Sequence, residues 1–290
     1  MKIYDSHVHI FNFRIVENVI SKAGLAGRLA LNTENIDKRL STAALVKEMA
    51  AANVQAALML PTADVHSLLK INRACIKMAR QTPGLYTAGT LHPALNHIAA
   101  ELSYLSRAGV RVIKLCSFSQ GFALNDSKTY KMFDLIQAFN QTTQTPFAVV
   151  LDTLTLADQY FGTDPAYTTS PLGLMELARR FPGINFIGAH MGGLGAPFEL
   201  LTRHLQPLSN LFLDTSNASH TLNADQFVQM LHLHGPRHLL FGTDWPWFLH
   251  AGEVKRIDEL MAEAGFSKQE KAAVFYKNLE SLLGIKPETA

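Results

Sequence analysis

The chain has 290 residues, a formal net charge of +2, 48% hydrophobic residues and 17% charged residues. The near-neutral charge, without a cluster of Lys and Arg, excludes the basic footprint of a nucleic-acid-binding protein. Two cysteines, Cys75 and Cys116, are too few for a disulfide framework. Because no apolar run has the length of a membrane span and no signal-peptide pattern is present, we expect a cytoplasmic protein without membrane contact.

Eight short apolar runs predict β-strands, and segments with helical periodicity separate them. This alternation is typical of βαβ units in a parallel sheet, and eight units favour a single, distorted (β/α)₈ TIM barrel over residues 1–290. An open, doubly wound sheet is disfavoured because no strand is followed by a glycine-rich nucleotide-binding motif. The predicted strands are residues 3–9, 54–61, 86–92, 110–118, 147–152, 185–190, 211–215 and 238–243.

The segments between the strands predict helices at residues 42–53, 65–81, 95–108, 128–141 and 172–181, and a closing helix at 267–283. Two intervals are longer than one helix requires. Residues 11–40 predict a long loop insertion after strand 1, and residues 159–170 predict a second loop. Long loops at the C-terminal face of a barrel usually supply substrate contacts. An arginine of the first loop (Arg14, Arg28 or Arg39) could bind a substrate carboxylate through two hydrogen bonds.

Two histidines separated by one residue lie at the end of the first predicted strand. Side chains alternate along a strand, so Asp5, His7 and His9 are expected on one face, where two imidazoles can bind one divalent ion. The same spacing occurs in His232-Leu233-His234. That pair lies at the end of a predicted helix, where residues i and i+2 point apart, so we do not expect a site there.

Asp244 and His190 also follow predicted strands. The Asp244 carboxylate could bind the same ion and accept a proton from water. Its alternative role is to cap the next helix, but Trp245-Pro246-Trp247 is a poor helix start. His190 could complete the metal site, act as an acid or base, or be a buried core histidine. We therefore expect Asp244 and His190 to be the catalytic residues.

Several other side chains are candidate substrate contacts because they lie at or after strand ends, at the mouth of the predicted barrel. Lys114 could serve as a base, as a substrate anchor or in a hydrogen bond inside the barrel. Aromatic residues near the same strand ends suggest an apolar pocket, although core packing explains them nearly as well. The predicted substrate-binding residues are Lys114, His92, Trp245 and Ser216.

The order His-x-His, Lys, His and Asp on strand ends, with Gly242-Thr243-Asp244-Trp245-Pro246, resembles the amidohydrolase superfamily. The resemblance is to its amidohydrolase-related branch, which includes aminocarboxymuconate semialdehyde decarboxylase and pyrone dicarboxylate lactonase. It implies a metal-dependent hydrolase that cleaves a small amide, ester or lactone with a metal-activated water. The alternatives are non-oxidative decarboxylation of a carboxylated ring or muconate-type substrate, a metal-independent lactonase, and an inactive barrel that only binds ligands.

The chain departs from the family pattern at strand five, where many members have a further histidine ligand. Residues 146–153 contain no histidine, and Asp152 could replace it as a ligand or hydrogen-bond a substrate. Some members bridge two metals with a carboxylated lysine at the position of Lys114. With so few donors we predict at most one divalent ion, Zn²⁺ if a metal is bound, and an unmodified Lys114. The expected partner is a small-molecule substrate, and a homo-oligomer is compatible with this fold.

Overall fold

Eight parallel strands, labelled β1 to β8, pair in chain order in the computed structural model, which describes residues 1–285. Each strand overlaps one of the eight predicted strands, and the predicted (β/α)₈ barrel is confirmed. The strands are β1 Tyr4–Val8, β2 Ala56–Met59, β3 Leu85–Thr87 with its continuation Gly89–Thr90, β4 Val112–Leu115, β5 Ala148–Leu151, β6 Asn185–Gly188, β7 Leu211–Asp214 and β8 Leu239–Leu240.

Closure of the barrel depends on backbone hydrogen bonds between β1 and the residues that follow β8. Ser6 N donates to the carbonyl oxygen of Phe241 (2.8 Å), and His9 N donates to that of Trp245 (2.7 Å). In the opposite direction, Asp244 N donates to the carbonyl oxygen of His7 (2.9 Å). The distortion lies in β3, whose first part pairs with β2 and whose second part pairs with β4.

The predicted helices between the strands are present, with ends that differ from the prediction by at most three residues. The closing segment contains a π-helical turn, Ala273–Lys277, between two α-helical parts. The α-helices are Phe13–Ile20, Leu25–Arg28, Thr42–Ala51, Leu68–Gln81, Ile98–Arg107, Ser117–Gln120, Ser127–Thr142, Ala157–Phe161, Pro171–Arg180, Phe198–His204, Ala218–Thr221, Ala224–His234, His250–Glu263, Lys268–Ala272 and Asn278–Leu283. No helix within residues 1–285 is long and apolar enough to span a membrane.

The strands are buried on both faces, and successive side chains belong to two different apolar clusters. Along β5, Ala148 and Val150 pack in one cluster, whereas Val149 and Leu151 pack in the other. The first cluster also contains Leu279 and Leu283 of the last helix, and the second contains most of the buried residues of the surrounding helices. This alternation is the pattern of a parallel barrel with a filled interior and a helical outer layer.

The predicted insertion after β1 is present as residues 10–40 and is called the lid here. It contains two short α-helices and the 3₁₀ turn Ile36–Arg39. Asn12 caps the first helix, because its side chain accepts a hydrogen bond from Ile15 N (3.1 Å). The Arg39 guanidinium donates to the carbonyl oxygens of Asn32 (2.9 Å) and Glu34 (2.6 Å), so this arginine stabilises the lid itself.

A substitution of Phe186 is a test of the packing between the barrel and its helices. Phe186 is fully buried, and its ring lies 5.6 Å from that of Phe133 in the helix Ser127–Thr142. We expect Phe186→Ala to lower the free energy of unfolding by about 3–5 kcal/mol, since it leaves a cavity in a well-packed core. Phe13, which is 55% exposed, is the matched control, and Phe13→Ala should change stability by less than about 0.5 kcal/mol. Urea denaturation followed by circular dichroism measures both, and equal losses would contradict this packing.

Candidate active site

The ends of β1 and β8 bring three potential metal ligands together. The Nε2 atoms of His7 and His9 lie 3.0 Å apart, and Asp244 Oδ1 lies 3.7 Å from the first and 3.6 Å from the second. All three residues are buried. The structure therefore confirms the predicted meeting of these side chains at one end of the barrel. The other pair, His232 and His234, ends the helix Ala224–His234, as expected.

Hydrogen bonds on the far side of each ring orient the two imidazoles. His9 Nδ1 lies 3.0 Å from the carbonyl oxygen of Leu60, and His7 Nδ1 lies 2.9 Å from Asp214 Oδ2. A carbonyl oxygen and an ionised carboxylate are acceptors, so each Nδ1 carries the proton. The Nε2 atoms of both rings face Asp244, where each neutral ring offers an unprotonated nitrogen to a metal ion. Partners of this kind are typical of histidines that bind a metal.

Asp214 is the central residue that the sequence reasoning missed. Besides its contact with His7, its Oδ1 accepts hydrogen bonds from His190 N (2.9 Å) and Ser216 N (3.1 Å), and also from the Ser216 hydroxyl. Burial opposes ionisation, but the neighbouring His7 ring lowers the pKa of Asp214 to about 2. The signal for this residue was present in the sequence, since Asp214 ends the apolar run of β7 just as Asp244 follows that of β8.

Asp5 joins the two strands that carry the ligands. Its Oδ1 accepts hydrogen bonds from the backbone N–H groups of His7 (2.9 Å) and Thr243 (3.0 Å). Its Oδ2 accepts the Thr243 hydroxyl hydrogen bond (2.5 Å) and lies 3.1 Å from His250 Nε2. Because Asp5 contacts the backbone beside each ligand, it fixes the position of His7 relative to Asp244.

The protonation properties of the three potential ligands differ. Burial disfavours the imidazolium of His7, but the Asp214 carboxylate outweighs this effect and raises the pKa of His7. Burial and the adjacent His7 lower the pKa of His9 well below its usual range. Burial also raises the pKa of the Asp244 carboxyl. His9 is thus available as a neutral ligand, and Asp244 has an increased affinity for a proton.

His190 lies beside this group, at the start of a 3₁₀ turn after β6. Its Nδ1 is 3.1 Å from the carbonyl oxygen of Ser216 and 2.9 Å from the hydroxyl of the same residue. The ring therefore presents Nε2 on its other side. Both His190 (φ 54°) and Asp244 (φ 62°) have a left-handed backbone conformation, which is uncommon outside glycine and concentrates at functional sites.

Lys114 and Asp152 form an ion pair between the ends of β4 and β5, with 3.2 Å between Nζ and Oδ2. Burial opposes ionisation of Asp152, but the Lys114 ammonium group lowers the pKa of this carboxyl well below its usual range. Lys114 is fully buried, whereas Asp152 lies on a cavity wall. Of the pair, only the carboxylate contacts the cavity.

The other predicted substrate contacts occupy different environments. Both ring nitrogens of His92 have partners, because Nδ1 accepts from Ala94 N (3.0 Å) and Nε2 lies 2.9 Å from the carbonyl oxygen of Gln120. Ser216 is buried within the Asp214 network. Trp245 is fully buried in the core, and Trp247 lines the cavity instead. A substrate role for these predicted residues stays a prediction.

A cavity of about 110 Å³ lies over the three potential ligands, and His9, Asp152, His190 and Asp244 contribute to its wall. The lid supplies Phe11, Leu25 and Leu29 to the same wall, so the lid covers this end of the barrel. The Phe11 ring stacks on that of His9, with 4.5 Å between ring centroids. A larger cavity of about 590 Å³ borders the site at His190 and is lined in part by Arg28 of the lid.

The donor set fits one divalent ion. Two imidazole nitrogens and a carboxylate oxygen bind Zn²⁺ and related ions at about 2.0–2.2 Å, so donors 3.0–3.7 Å apart can share one ion. A second group within 4.8 Å consists of His7, His190 and Asp214, but the Ser216 hydroxyl already hydrogen-bonds within it. The first group is therefore the better candidate metal site.

Comparison with solved structures shows the same fold. An uncharacterized TIM-barrel protein of Bordetella bronchiseptica is 17% identical, with a TM-score of 0.71 over 98% of this chain and 99% of that one. A probable 2-pyrone-4,6-dicarboxylic acid hydrolase of Acinetobacter baumannii is 16% identical (TM-score 0.64; 98% and 100% covered). A 5-carboxyvanillate decarboxylase of Novosphingobium aromaticivorans, in complex with manganese and a nitrobenzoic acid, is 15% identical (TM-score 0.70; 98% and 96% covered).

The sequence itself provides the family assignment. No curated protein sequence matches the chain significantly. The sequence profile described as amidohydrolase, however, matches residues 4–285. This range includes all eight strands and the three potential metal ligands. On this match, the chain belongs to the amidohydrolase family.

Proposed function

We propose that this protein is a metal-dependent hydrolase of a small amide, ester or lactone, and that His7, His9 and Asp244 hold one divalent ion. The observation that carries the proposal is the convergence of these donors, 3.0–3.7 Å apart, beneath a cavity covered by the lid. Zn²⁺ is the proposed ion. The likeness to a decarboxylase with bound manganese makes Mn²⁺ the ion to compare with it.

The site residues have separate roles in this proposal. A divalent ion, when bound, lowers the pKa of water and polarises a substrate oxygen. Asp244 accepts the proton of the attacking water, since burial raises the pKa of its carboxyl. His190, which contacts the cavity, donates a proton to the leaving group. Because His190 Nε2 serves as the acid, Asp152 completes the ligand set, and the lid excludes bulk water during the reaction.

Decarboxylation is the second candidate function. His190 borders the cavity and could protonate a substrate carbon as carbon dioxide leaves, and the fold resembles that of a 5-carboxyvanillate decarboxylase. A metal-independent lactonase is a third candidate, because the fold also resembles that of a probable pyrone dicarboxylic acid hydrolase. The three candidates differ in their products and in their response to chelators.

We expect at most one tightly bound ion per chain, because the two donor groups found among residues 1–285 share His7, and the second is already hydrogen-bonded to Ser216. Elemental analysis of the purified protein measures the stoichiometry, and mass spectrometry of the native protein at neutral pH, where a lysine carbamate is retained, shows whether Lys114 is modified. His7→Ala should lose the metal, whereas His232→Ala, which changes an exposed histidine, should retain it. Two ions per chain together with a carboxylated Lys114 would contradict the proposal.

Asp214→Asn should weaken metal binding by roughly 10–100-fold, because the carboxylate orients His7. The wild-type protein should lose metal affinity as pH falls through the raised pKa of His7, since a proton competes with the ion. Without the Asp214 carboxylate, that loss should occur at lower pH. Competition with a chromogenic chelator across pH 5–8 tests both effects. Asp225→Asn, at an exposed position, is the control, and equal affinities in the two variants would exclude the orienting role.

Activity should be measured with a panel of small amides, esters, lactones and carboxylated aromatic acids, in the presence of Zn²⁺ or Mn²⁺. We expect hydrolysis, and Asp244→Asn or His190→Gln should lower kcat by roughly 10²–10⁴-fold, as the loss of an acid–base group does. His232→Gln should leave kcat unchanged. Release of carbon dioxide instead of a hydrolysis product would replace the proposal by decarboxylation, and full activity in excess chelator would indicate the metal-independent lactonase.

A further inference from the structure

Asn217 has a buried carboxamide without a partner. The side chain lies on the wall of the 110 Å³ cavity, and the residue is fully buried. Neither Oδ1 nor Nδ2 has a hydrogen-bond partner among residues 1–285. Buried polar groups are normally hydrogen-bonded, so an unpaired carboxamide on a cavity wall next to an active site indicates a group that binds a ligand.

The backbone holds Asn217 in place for this role. The residue has a left-handed conformation (φ 57°), which asparagine tolerates better than most residues. It directly follows Ser216, which hydrogen-bonds to Asp214 and contacts His190. Its own carbonyl oxygen accepts a hydrogen bond from His220 N (2.9 Å). The carboxamide is therefore fixed on the same network that orients the candidate catalytic groups.

Away from the proposed metal ion, the described wall of this cavity offers no cationic side chain to an anionic substituent. Asp152 and Asp244 are the charged side chains of its wall, and no Lys or Arg lines it within the described chain. Lys114 lies behind Asp152 and is paired with it. A carboxylate substituent away from the metal ion would lie beside acidic or apolar groups, whereas Arg28 lines the adjoining larger cavity instead. Much of the remaining wall is apolar, including Leu25, Leu29, Phe118, Leu154, Phe161 and Leu194.

From these observations we propose that Asn217 binds the substrate, and that the substrate is an uncharged amide with a small apolar arm. This inference rests on the proposed hydrolase function and selects the amide among the three substrate types. A carboxamide offers both donors and an acceptor, so it can pair with the N–H and the C=O of an amide. An ester or a carboxylate offers only acceptors and would leave Asn217 Oδ1 unpaired. In the reaction, water adds to the carbonyl carbon, the C–N bond breaks, and the leaving nitrogen takes up a proton.

The test compares isobutyramide with methyl isobutyrate, two uncharged probes that share the isopropyl arm and differ in the N–H donor. Isobutyrate is unsuitable, because its carboxylate would bind the metal ion directly. Ligand-observed NMR on the metal-loaded protein gives Kd for each probe. We expect the wild type to bind isobutyramide more tightly than methyl isobutyrate, because the ester has no N–H group for Asn217 Oδ1. Asn217→Gly keeps the left-handed backbone and removes the carboxamide, and Asn217→Asp keeps its shape and removes the donor. Both should weaken isobutyramide binding by roughly tenfold, as the loss of hydrogen bonds in a buried site does.

Asn53→Gly is the matched control, because Asn53 is also left-handed (φ 54°) but exposed and outside the cavity. Its isobutyramide affinity should equal that of the wild type, and thermal unfolding shows that each variant is folded. Tighter binding of methyl isobutyrate, or an isobutyramide Kd within twofold of the wild type in Asn217→Gly, would overturn the inference. Turnover of esters alone would leave the hydrolase function standing and reject the amide. Asn217-dependent amide binding without any hydrolysis would reject the function alone.

Discussion

The candidate site depends on the pairing of the first strand with the residues that follow the last one. Asp5 and Thr243 are 238 positions apart in sequence, yet the Asp5 carboxylate accepts both the backbone N–H and the hydroxyl hydrogen bond of Thr243. His7 and Asp244 flank this contact. A barrel that did not close would have no metal-binding group, because its ligands would lie on opposite edges of an open sheet.

A second buried carboxylate, Asp214, connects this closure to β6 and β7. Its two oxygens contact the His7 ring, the His190 backbone and Ser216. An unpaired carboxylate at this depth would be strongly destabilising, and here each oxygen has partners. The same hydrogen bonds that satisfy the buried charge therefore fix the orientation of two candidate catalytic rings.

The fold and three of the potential ligands could be predicted from sequence because their signals are local. His7, His9 and Asp244 each lie at the end of an apolar run, and the parallel barrel collects such ends at one face. Asp214 carried the same signal, but its importance depends on the cross-barrel contact with His7, which no local pattern contains. The pairing of Lys114 with Asp152 likewise depends on the register of β4 and β5. The lid helices have only eight and four residues, too few for a clear helical period.

Trp247 links the metal site to the lid. It lies three residues after Asp244, lines the cavity, and packs with Val16 and Ile36 of the lid. Its ring also lies 6.2 Å from that of Phe11, which covers His9. The lid is thus built onto the loop that carries a metal ligand, rather than onto an independent part of the scaffold. A substitution in the lid that alters the substrate pocket must therefore preserve the packing against Trp247. If that packing is lost, the position of the nearby ligand Asp244 changes as well.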